Sequence, residues 1–535
     1  MSKLTHISDA WRQDGEPITR LDENDLPSLP ASLNEGRQGA ALPVLSAKTM
    51  DACECGLDGA CALNIVHPKS REEEEALVAS FLSGLDKLFS KENNWTFLQP
   101  LLLTMEHCTG CQTCSTSCHI YDASGHNEIY RPSYRTEILR RLYFKHVKQG
   151  GLLSAWQHGK IELNWPLIAR LAELAYRCNL CRRCAQACPI GVDNGLVARE
   201  LRKIFSQEMG ISPKEIHDKG SMLQLKSGST TGMNPAGVRD NMDFVDDEIS
   251  EKTGLEVHTP WDVEGADILV IHNAGEILAW PENPGAFSVI LNAAGIRWTL
   301  SSELSGYDGV NYGLWYDDAQ FARVAMKHLE IARKLKVKAI VVGECGHAHK
   351  ALGVIANRIA LGDLDIPFVS SMTLLRDIVA GGKLKLDPSR NDFPITLHDP
   401  CNMVRLMGIV EPQREILRAI APRFREMTPH GVDNYCCGGG SGFAIMSPNN
   451  FGDWRAQVSG RKKLEQVMNA FSESLSPDTR KYVCAPCSNC KGQLRDLFTY
   501  WDIWEKHRIL YGGLVELIVN AMTDVKPGFI DWEWR

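Results

Sequence analysis

CTGCQTCSTSCH, residues 108–119, and CNLCRRCAQACPI, residues 178–190, decide how this chain of 535 residues is read. Each spaces four cysteines as C-x2-C-x2-C-x3-C. The first run holds Cys108, Cys111, Cys114 and Cys118, and the second holds Cys178, Cys181, Cys184 and Cys188, with Pro189 after it. The chain has 18 cysteines, and the ones outside these runs are grouped as well. They stand at 53, 55 and 61, at 345, at 401, 436 and 437, and at 484, 487 and 490. The N-terminal stretch MSKLTHISDAWRQDGEPITR lacks the apolar core of a signal peptide, so a cytoplasmic, reducing setting is expected. Clustered thiols in that setting predict metal ligation rather than bridges.

The repeated spacing is the two-cluster ferredoxin pattern, in which the fourth cysteine of each run ligates the other cluster. Short spacings let three thiolates take three corners of a cube, and the distant fourth ties the two halves of the domain together. Cys108, Cys111, Cys114 and Cys188 are therefore expected around one [4Fe–4S] cubane, and Cys178, Cys181, Cys184 and Cys118 around a second. Two structural zinc sites are the alternative, but these normally use paired C-x2–4-C units. His119 stands where the second run has its proline.

With 44% apolar and 23% charged residues the composition is that of a globular protein of two to four domains. No run reaches the ~18 apolar residues of a membrane-spanning helix. The net charge of −8 is spread out, with no basic patch, which argues against nucleic-acid binding.

Residues 1–69, rich in Pro, Gly and polar residues, predict an extended arm carrying CECGLDGAC. From Ser70 a capping pattern and an apolar face predict a helix, opening a helical two-cluster domain over 70–215. WPLIARLAELAYRC, with Pro166 at its start, and GLVARELRKIFSQEMG predict further helices. Residues 216–261, rich in Gly, Ser, Thr, Asn and Asp, predict a linker or surface loop. From 262 onward, ADILVIHNAG, KAIVVGECG, FPITLHDPC and KYVCAPC alternate with helical stretches, as α/β units with parallel strands do. The first two runs parallel the last two, which predicts a duplication. One copy, 262–380, keeps Cys345 alone. The other, 381–535, keeps the full set. The fold class expected is α+β multidomain: a helical two-cluster ferredoxin domain followed by a duplicated α/β domain with parallel strands.

In NYCCGGGSG, residues 434–442, Cys436 and Cys437 are neighbours. Adjacent cysteines fit disulfide geometry badly, and Gly438, Gly439 and Gly440 allow close backbone approach. With Cys401, Cys484 and Cys487 this set resembles the cysteine-rich CCG domain of heterodisulfide reductase catalytic subunits. The same domain occurs in iron–sulfur subunits of glycolate, lactate and glycerol-3-phosphate oxidation systems. The resemblance implies that Cys401, Cys436, Cys437, Cys484 and Cys487 hold a noncubane [4Fe–4S] cluster that is also the catalytic centre. Cys345 is a further thiol placed to approach it, and Cys490 is expected outside the ligand set. His347, His349 and His398 beside these turns are candidate proton donors.

Two cubane clusters ahead of a duplicated CCG region resemble HdrD, the D-type heterodisulfide reductase, over roughly residues 95–515. Within that group the chain is similar to the DsrK branch, the cytoplasmic catalytic subunits of DsrMKJOP membrane complexes of dissimilatory sulfur metabolism. ACECGLDGACALN and the single intact cysteine set carry this likeness. The resemblance implies peripheral attachment at the inner membrane through a DsrM-like haem b subunit and other complex subunits. It also implies a DsrC-like sulfur-carrier protein, with a disulfide or trisulfide, as substrate. LFTYWDIWEKHRILYGGLVELIVNAM and DWEWR are aromatic-rich and fit either a docking surface or a core helix and tail. The other readings are an electron relay in a 2-hydroxyacid oxidation system and a non-catalytic electron-transfer module.

Overall fold

The computed structural model describes residues 68–148, 161–213, 222–306, 318–355, 365–440 and 454–532, with a few isolated positions besides. Cys53, Cys55 and Cys61 lie outside the described residues. The chain divides into two compact units. The first comprises Met1–His217, Trp315–Asp318 and Gly438–Glu465, and the second Asp218–Leu314, Ala319–Cys437 and Gln466–Arg535.

The first unit is helical. Helix Arg71–Leu88 starts at Ser70, whose Oγ accepts from the Glu73 amide at 3.2 Å. Glu73 in turn accepts from the Lys69 amide at 2.6 Å, one residue before the cap. Phe81, Leu85 and Leu88 form its buried stripe, Phe81 meeting Phe205 ring to ring at 5.8 Å. Asn164 caps Trp165–Tyr176, and Asp193 caps Asn194–Lys203. The two cysteine runs share one local fold. Each has a short helix, Thr113–Thr116 or Arg183–Gln186, entered through a left-handed residue, Gln112 (φ 64°) or Arg182 (φ 61°). Gly110 takes φ 69° two residues before the first helix entry, and Leu180 holds φ 52° at the matching place. These turns fold each run back on itself. The segment Gly438–Glu465 packs on this unit through Trp454, which lies under the Arg177 guanidinium at 4.1 Å and beside the Tyr130 ring at 5.1 Å.

The second unit holds two four-stranded parallel sheets. Strands β1 (Ile268–Ile271), β2 (Trp298–Thr299), β3 (Ala339–Val342) and β4 (Phe368–Ser370) lie in the order β2-β1-β3-β4. Strands β5 (Ile395–Leu397), β6 (Phe424–Arg425), β7 (Lys481–Cys484) and β8 (Ile509–Gly512) lie in the order β6-β5-β7-β8. The connectivity is the same in both, and it carries the duplication seen in the sequence. The central strands are buried throughout except for half-buried Ala339 at the start of β3, as a parallel sheet covered on both faces requires. One apolar core joins the two sheets through Val238, Phe287, Ile290, Leu417, Leu514 and Ile518.

One expectation changes, and one choice left open by the sequence is narrowed. Residues 235–253, inside the stretch expected to be a linker or loop, form a 19-residue helix capped by Asn234 and ended by Gly254 at φ 75°. Val238, Met242, Val245 and Ile249 fall on one helical face and are buried. The polar residues between them mask that spacing. In the aromatic C-terminal stretch, helix Leu514–Ala521 is buried along its whole length and Trp501 is buried too, so this part serves the core. Among the described residues no helix is long and apolar enough to cross a membrane.

Candidate iron–sulfur centres

In the first unit, Cys108, Cys111, Cys114 and Cys188 line one small cavity. Burial pushes the Cys114 thiol up, and the negative charges of Cys108 and Cys188 add to it. Cys118 is pushed up to about 12 by burial, with Cys181 and Cys178 contributing. Burial raises Cys184 well above its usual value, and Asp193, Cys181, Cys178 and Cys118 raise it further. The fourth cysteine of each run thus lies with the first three of the other. Thiolates packed this closely repel one another unless a cationic centre holds them, and four soft sulfurs are what an iron–sulfur cluster takes.

His119 joins this region rather than standing idle. It is buried, with Nε2 2.8 Å from Asn179 Oδ1 and Nδ1 4.0 Å from Cys181 Sγ. Asn179 Nδ2 donates to the Gly438 carbonyl at 3.0 Å, and Ser459 Oγ lies 2.8 Å from the same oxygen. Here the glycines have their use. A Cβ on Gly438 (φ 93°) would stand 2.6 Å from the backbone of Ser459 and Gly460, and one on Gly440 would stand 2.5 Å from the Asn179 carbonyl oxygen. The close approach expected of these glycines is present, but what they approach is backbone of the first unit.

The second unit gathers the remaining cysteines at the carboxyl ends of its strands, where parallel sheets collect ligands. Cys401 opens helix Cys401–Leu406 after β5, and Cys484 ends β7. Cys487 caps helix Ser488–Tyr500, with Cys490 in its first turn. Cys345 caps helix Gly346–Lys350 after β3. These residues, with Cys436 and Cys437, are all buried.

The thiols do not converge quite as the sequence suggested. Cys437 Sγ, Cys490 Sγ and a ring nitrogen of His398 lie within 4.8 Å of one another. The neighbouring Cys436 and Cys490 thiols, and then the His398 ring beside it, hold the Cys437 thiol well below its usual value. Cys487 is likewise lowered, by Cys490 and then His347, and accepts from the Gly346 amide at 3.3 Å. Cys490, expected outside the set, sits between Cys437 and Cys487, and its thiol, shared between these two sulfurs, is raised well above its usual value. Cys484 instead packs with the apolar core. Burial raises its thiol, as do the Glu344 and Glu516 carboxylates. Its carbonyl accepts from the His398 amide at 2.8 Å. Cys345 feels the charge of Cys487 and accepts from the Ala348 amide at 3.4 Å.

The three histidines part ways. His398 faces Cys437, and His347 faces Cys487 while accepting from Asn489 Nδ2 at 2.6 Å. His349 turns away: its nitrogens lie 2.8 Å from the Cys345 carbonyl and 2.7 Å from Ser370 Oγ, and burial holds it down to about 4. It is a structural residue.

An unforeseen ion pair sets the loop that carries the vicinal cysteines. Arg414 donates to Asp399 through two bonds of 2.8 and 2.7 Å and to Glu426 at 2.8 Å. Asp399, next to His398, also accepts from the Gly431 amide at 2.6 Å. This fixes the turn leading to Cys436 against the end of β5.

Two family models match the chain: a 4Fe-4S dicluster domain over residues 104–192 and a cysteine-rich domain, CCG, over 395–495. The chain is similar to Hdr-like menaquinol oxidoreductase iron-sulfur subunit 2 of Archaeoglobus fulgidus, with 27% identity over 463 residues, 79% of this chain and 80% of the relative. It is also similar to the D-type polypeptide of dihydromethanophenazine:CoB--CoM heterodisulfide reductase from Methanosarcina acetivorans, 26% identical over 402 residues, 74% of this chain and 89% of that one. A dicluster region, a CCG domain and two parallel sheets with converging thiols define an iron–sulfur electron-transfer oxidoreductase subunit. Within that class the chain is similar over most of its length to Hdr-like and D-type heterodisulfide reductase subunits.

Proposed function

We propose that this chain is the catalytic iron–sulfur subunit of a membrane-associated electron-transfer complex and cleaves or forms the sulfur–sulfur bond of a protein-borne disulfide or trisulfide. The substrate is a sulfur-carrier protein of the DsrC type, and electrons are exchanged with quinone through a haem b subunit of the DsrM type. The observation that carries the reading is the buried meeting of Cys437, Cys487 and Cys490 with His398 and His347. The likeness to the DsrK branch supports the choice of substrate and partners.

Two cubanes would be held by Cys108, Cys111, Cys114 and Cys188 and by Cys178, Cys181, Cys184 and Cys118. A noncubane cluster would be held by Cys401, Cys436, Cys437, Cys487 and Cys490, with Cys484 left to the core. Such a cluster supplies single-electron exchange beside a sulfur substrate, where breaking an S–S bond takes two electrons. The chain's own part is to exclude water, to keep Cys437 and Cys487 in the thiolate form, and to place His398 and His347 against those sulfurs as proton carriers.

The test is metal and sulfide analysis with electron paramagnetic resonance of the anaerobically purified protein. About twelve irons and twelve sulfides per chain are expected. Cys490→Ser should lose about four irons with both cubane signals intact, and Cys484→Ser should keep all three clusters. Reduction of an oxidised carrier protein by a viologen dye should fail in Cys437→Ala. Zinc in place of iron, or a full iron complement in Cys490→Ser, overturns the assignment.

A further inference from the structure

Behind the thiols lies a group of buried charges that the proposed function does not use. Glu276, Glu282, Glu344, Glu516 and Lys491 are all 0% exposed. Lys491 lies among the four carboxyl groups and interacts with every one of them. Carboxylates crowded in a buried site raise one another's affinity for protons, as Glu344 does for Glu276 and Glu516 does for Glu344.

The hydrogen bonding says which carboxyl is least held in the charged form. Glu344 accepts from the Leu514 and Val515 amides at 2.9 and 3.1 Å and from Asn283 Nδ2 at 2.8 Å. Glu516 accepts from the Gly513 amide at 2.8 Å and the Tyr482 hydroxyl at 3.1 Å. Glu282 retains partners of its own. Glu276 differs: Lys491 Nζ stands 3.3 Å from its Oε1, and neither oxygen receives a hydrogen bond. Burial pushes it up to about 8, higher than Glu344 at about 7.

Glu276 also feels the thiols. The charges of Glu344 and Cys487 act on it, and its own acts on Cys345. Lys491 follows Cys490 directly in the chain, while Lys491 and Arg495 stack over Trp280 at 5.4 and 5.7 Å. His272, on the neighbouring strand end, is held neutral by burial, down to about 3. A carboxyl with one cation and no hydrogen bonds is the group most easily tipped when a charge changes nearby.

We infer that Glu276 binds one proton when the thiolate centre at Cys437, Cys487 and Cys490 gains one electron, and releases it when that electron leaves. The inference rests on the reading that a redox cluster is held there. The electron comes from the one-electron iron–sulfur region of the same chain and the proton from solvent. An O–H bond forms at the Glu276 carboxylate, and the buried charge of the site is unchanged. Glu276 is a positioning residue for charge, not a group that touches substrate.

The experiment is a redox titration of the third paramagnetic signal at several pH values from about 8 upward, where the carboxyl is ionised before the electron arrives, using the full-length protein. One proton per electron lowers the midpoint by about 59 mV for each tenfold fall in proton concentration, the conversion for a one-electron couple. Glu276→Gln should abolish that slope and leave the cubane midpoints where they were. Glu276→Asp, which keeps the carboxyl, should retain it. The reduced-minus-oxidised infrared difference spectrum should show a buried carboxylic acid band that is lost in Glu276→Gln. A third signal whose pH slope survives in Glu276→Gln overturns the inference alone. Absence of any third signal in the unaltered protein, with both cubane signals present, overturns the reading beneath it as well.

Discussion

Gly438→Ala is the sharpest probe of how the segment after the vicinal cysteines is held. Its φ of 93° is one that L side chains rarely adopt, and holding alanine there costs about 1–3 kcal/mol. The new Cβ would lie 2.6 Å from the carbonyl carbon and oxygen of Ser459 and from the Gly460 nitrogen. These are main-chain atoms, so no rotamer relieves the clash and the segment has to move. Moving it breaks the bonds from Asn179 Nδ2 (3.0 Å) and Ser459 Oγ (2.8 Å) to the Gly438 carbonyl, each worth about 1 kcal/mol. The total is about 3–5 kcal/mol, against a typical unfolding free energy of about 5–15 kcal/mol. Gly110→Ala is the control, because its φ is 69° but nothing lies within 4 Å of the new Cβ. It should cost only the conformational part, about 1–2 kcal/mol. Anaerobic guanidinium unfolding followed by tryptophan fluorescence measures both, since Trp454 reports on the same unit. Midpoints at unchanged slope give the difference. If the two variants unfold within about 0.5 kcal/mol of each other, the clamp on Gly438 is not what holds the segment.

Arg414→Met should destabilise the second unit by about 3–5 kcal/mol, because Asp399 is left buried and unpaired. Adding Asp399→Asn should recover part of that loss, and denaturant unfolding of the single and double variants reads the coupling. Acid sensitivity has a traceable source in His328, which is buried and held down to about 4 from an ordinary 6.5. Between those values the unfolded chain binds a proton that the folded one refuses. Stability present above about pH 6.5 is therefore lost as pH falls toward about 4, by up to about 3 kcal/mol from this residue. In His328→Gln, unfolding followed at descending pH should show a correspondingly shallower loss.

What could be read from the sequence was what depends on local spacing. The two ferredoxin runs declare themselves because covalent distance along a short loop limits where three thiols can point. The paired sheets declare themselves because buried parallel strands are short, uninterrupted apolar runs such as Ile268–Ile271. The misses are of another kind. In CAPCSNC the spacing C-x2-C occurs in two registers, and only the end of β7, which turns Cys484 into the core, separates them. Helix Pro235–Thr253 was hidden by polar residues between its four buried contacts. Asp399 with Arg414, and Glu276 with Lys491, are partners 15 and 215 positions apart, and no pattern along the chain announces such pairs.

The division of the polypeptide has a practical meaning. The chain leaves the sheet-bearing unit between Cys437 and Gly438 and re-enters it between Glu465 and Gln466, having in the meantime lent its glycines and Trp454 to the helical one. A single break after His217 would therefore not yield two self-sufficient fragments. The N-terminal piece would lack the residues that bind Asn179 and cover Arg177. Anyone wishing to transplant the ferredoxin-like part, or to split the gene for separate production, has to carry Gly438–Glu465 along with it.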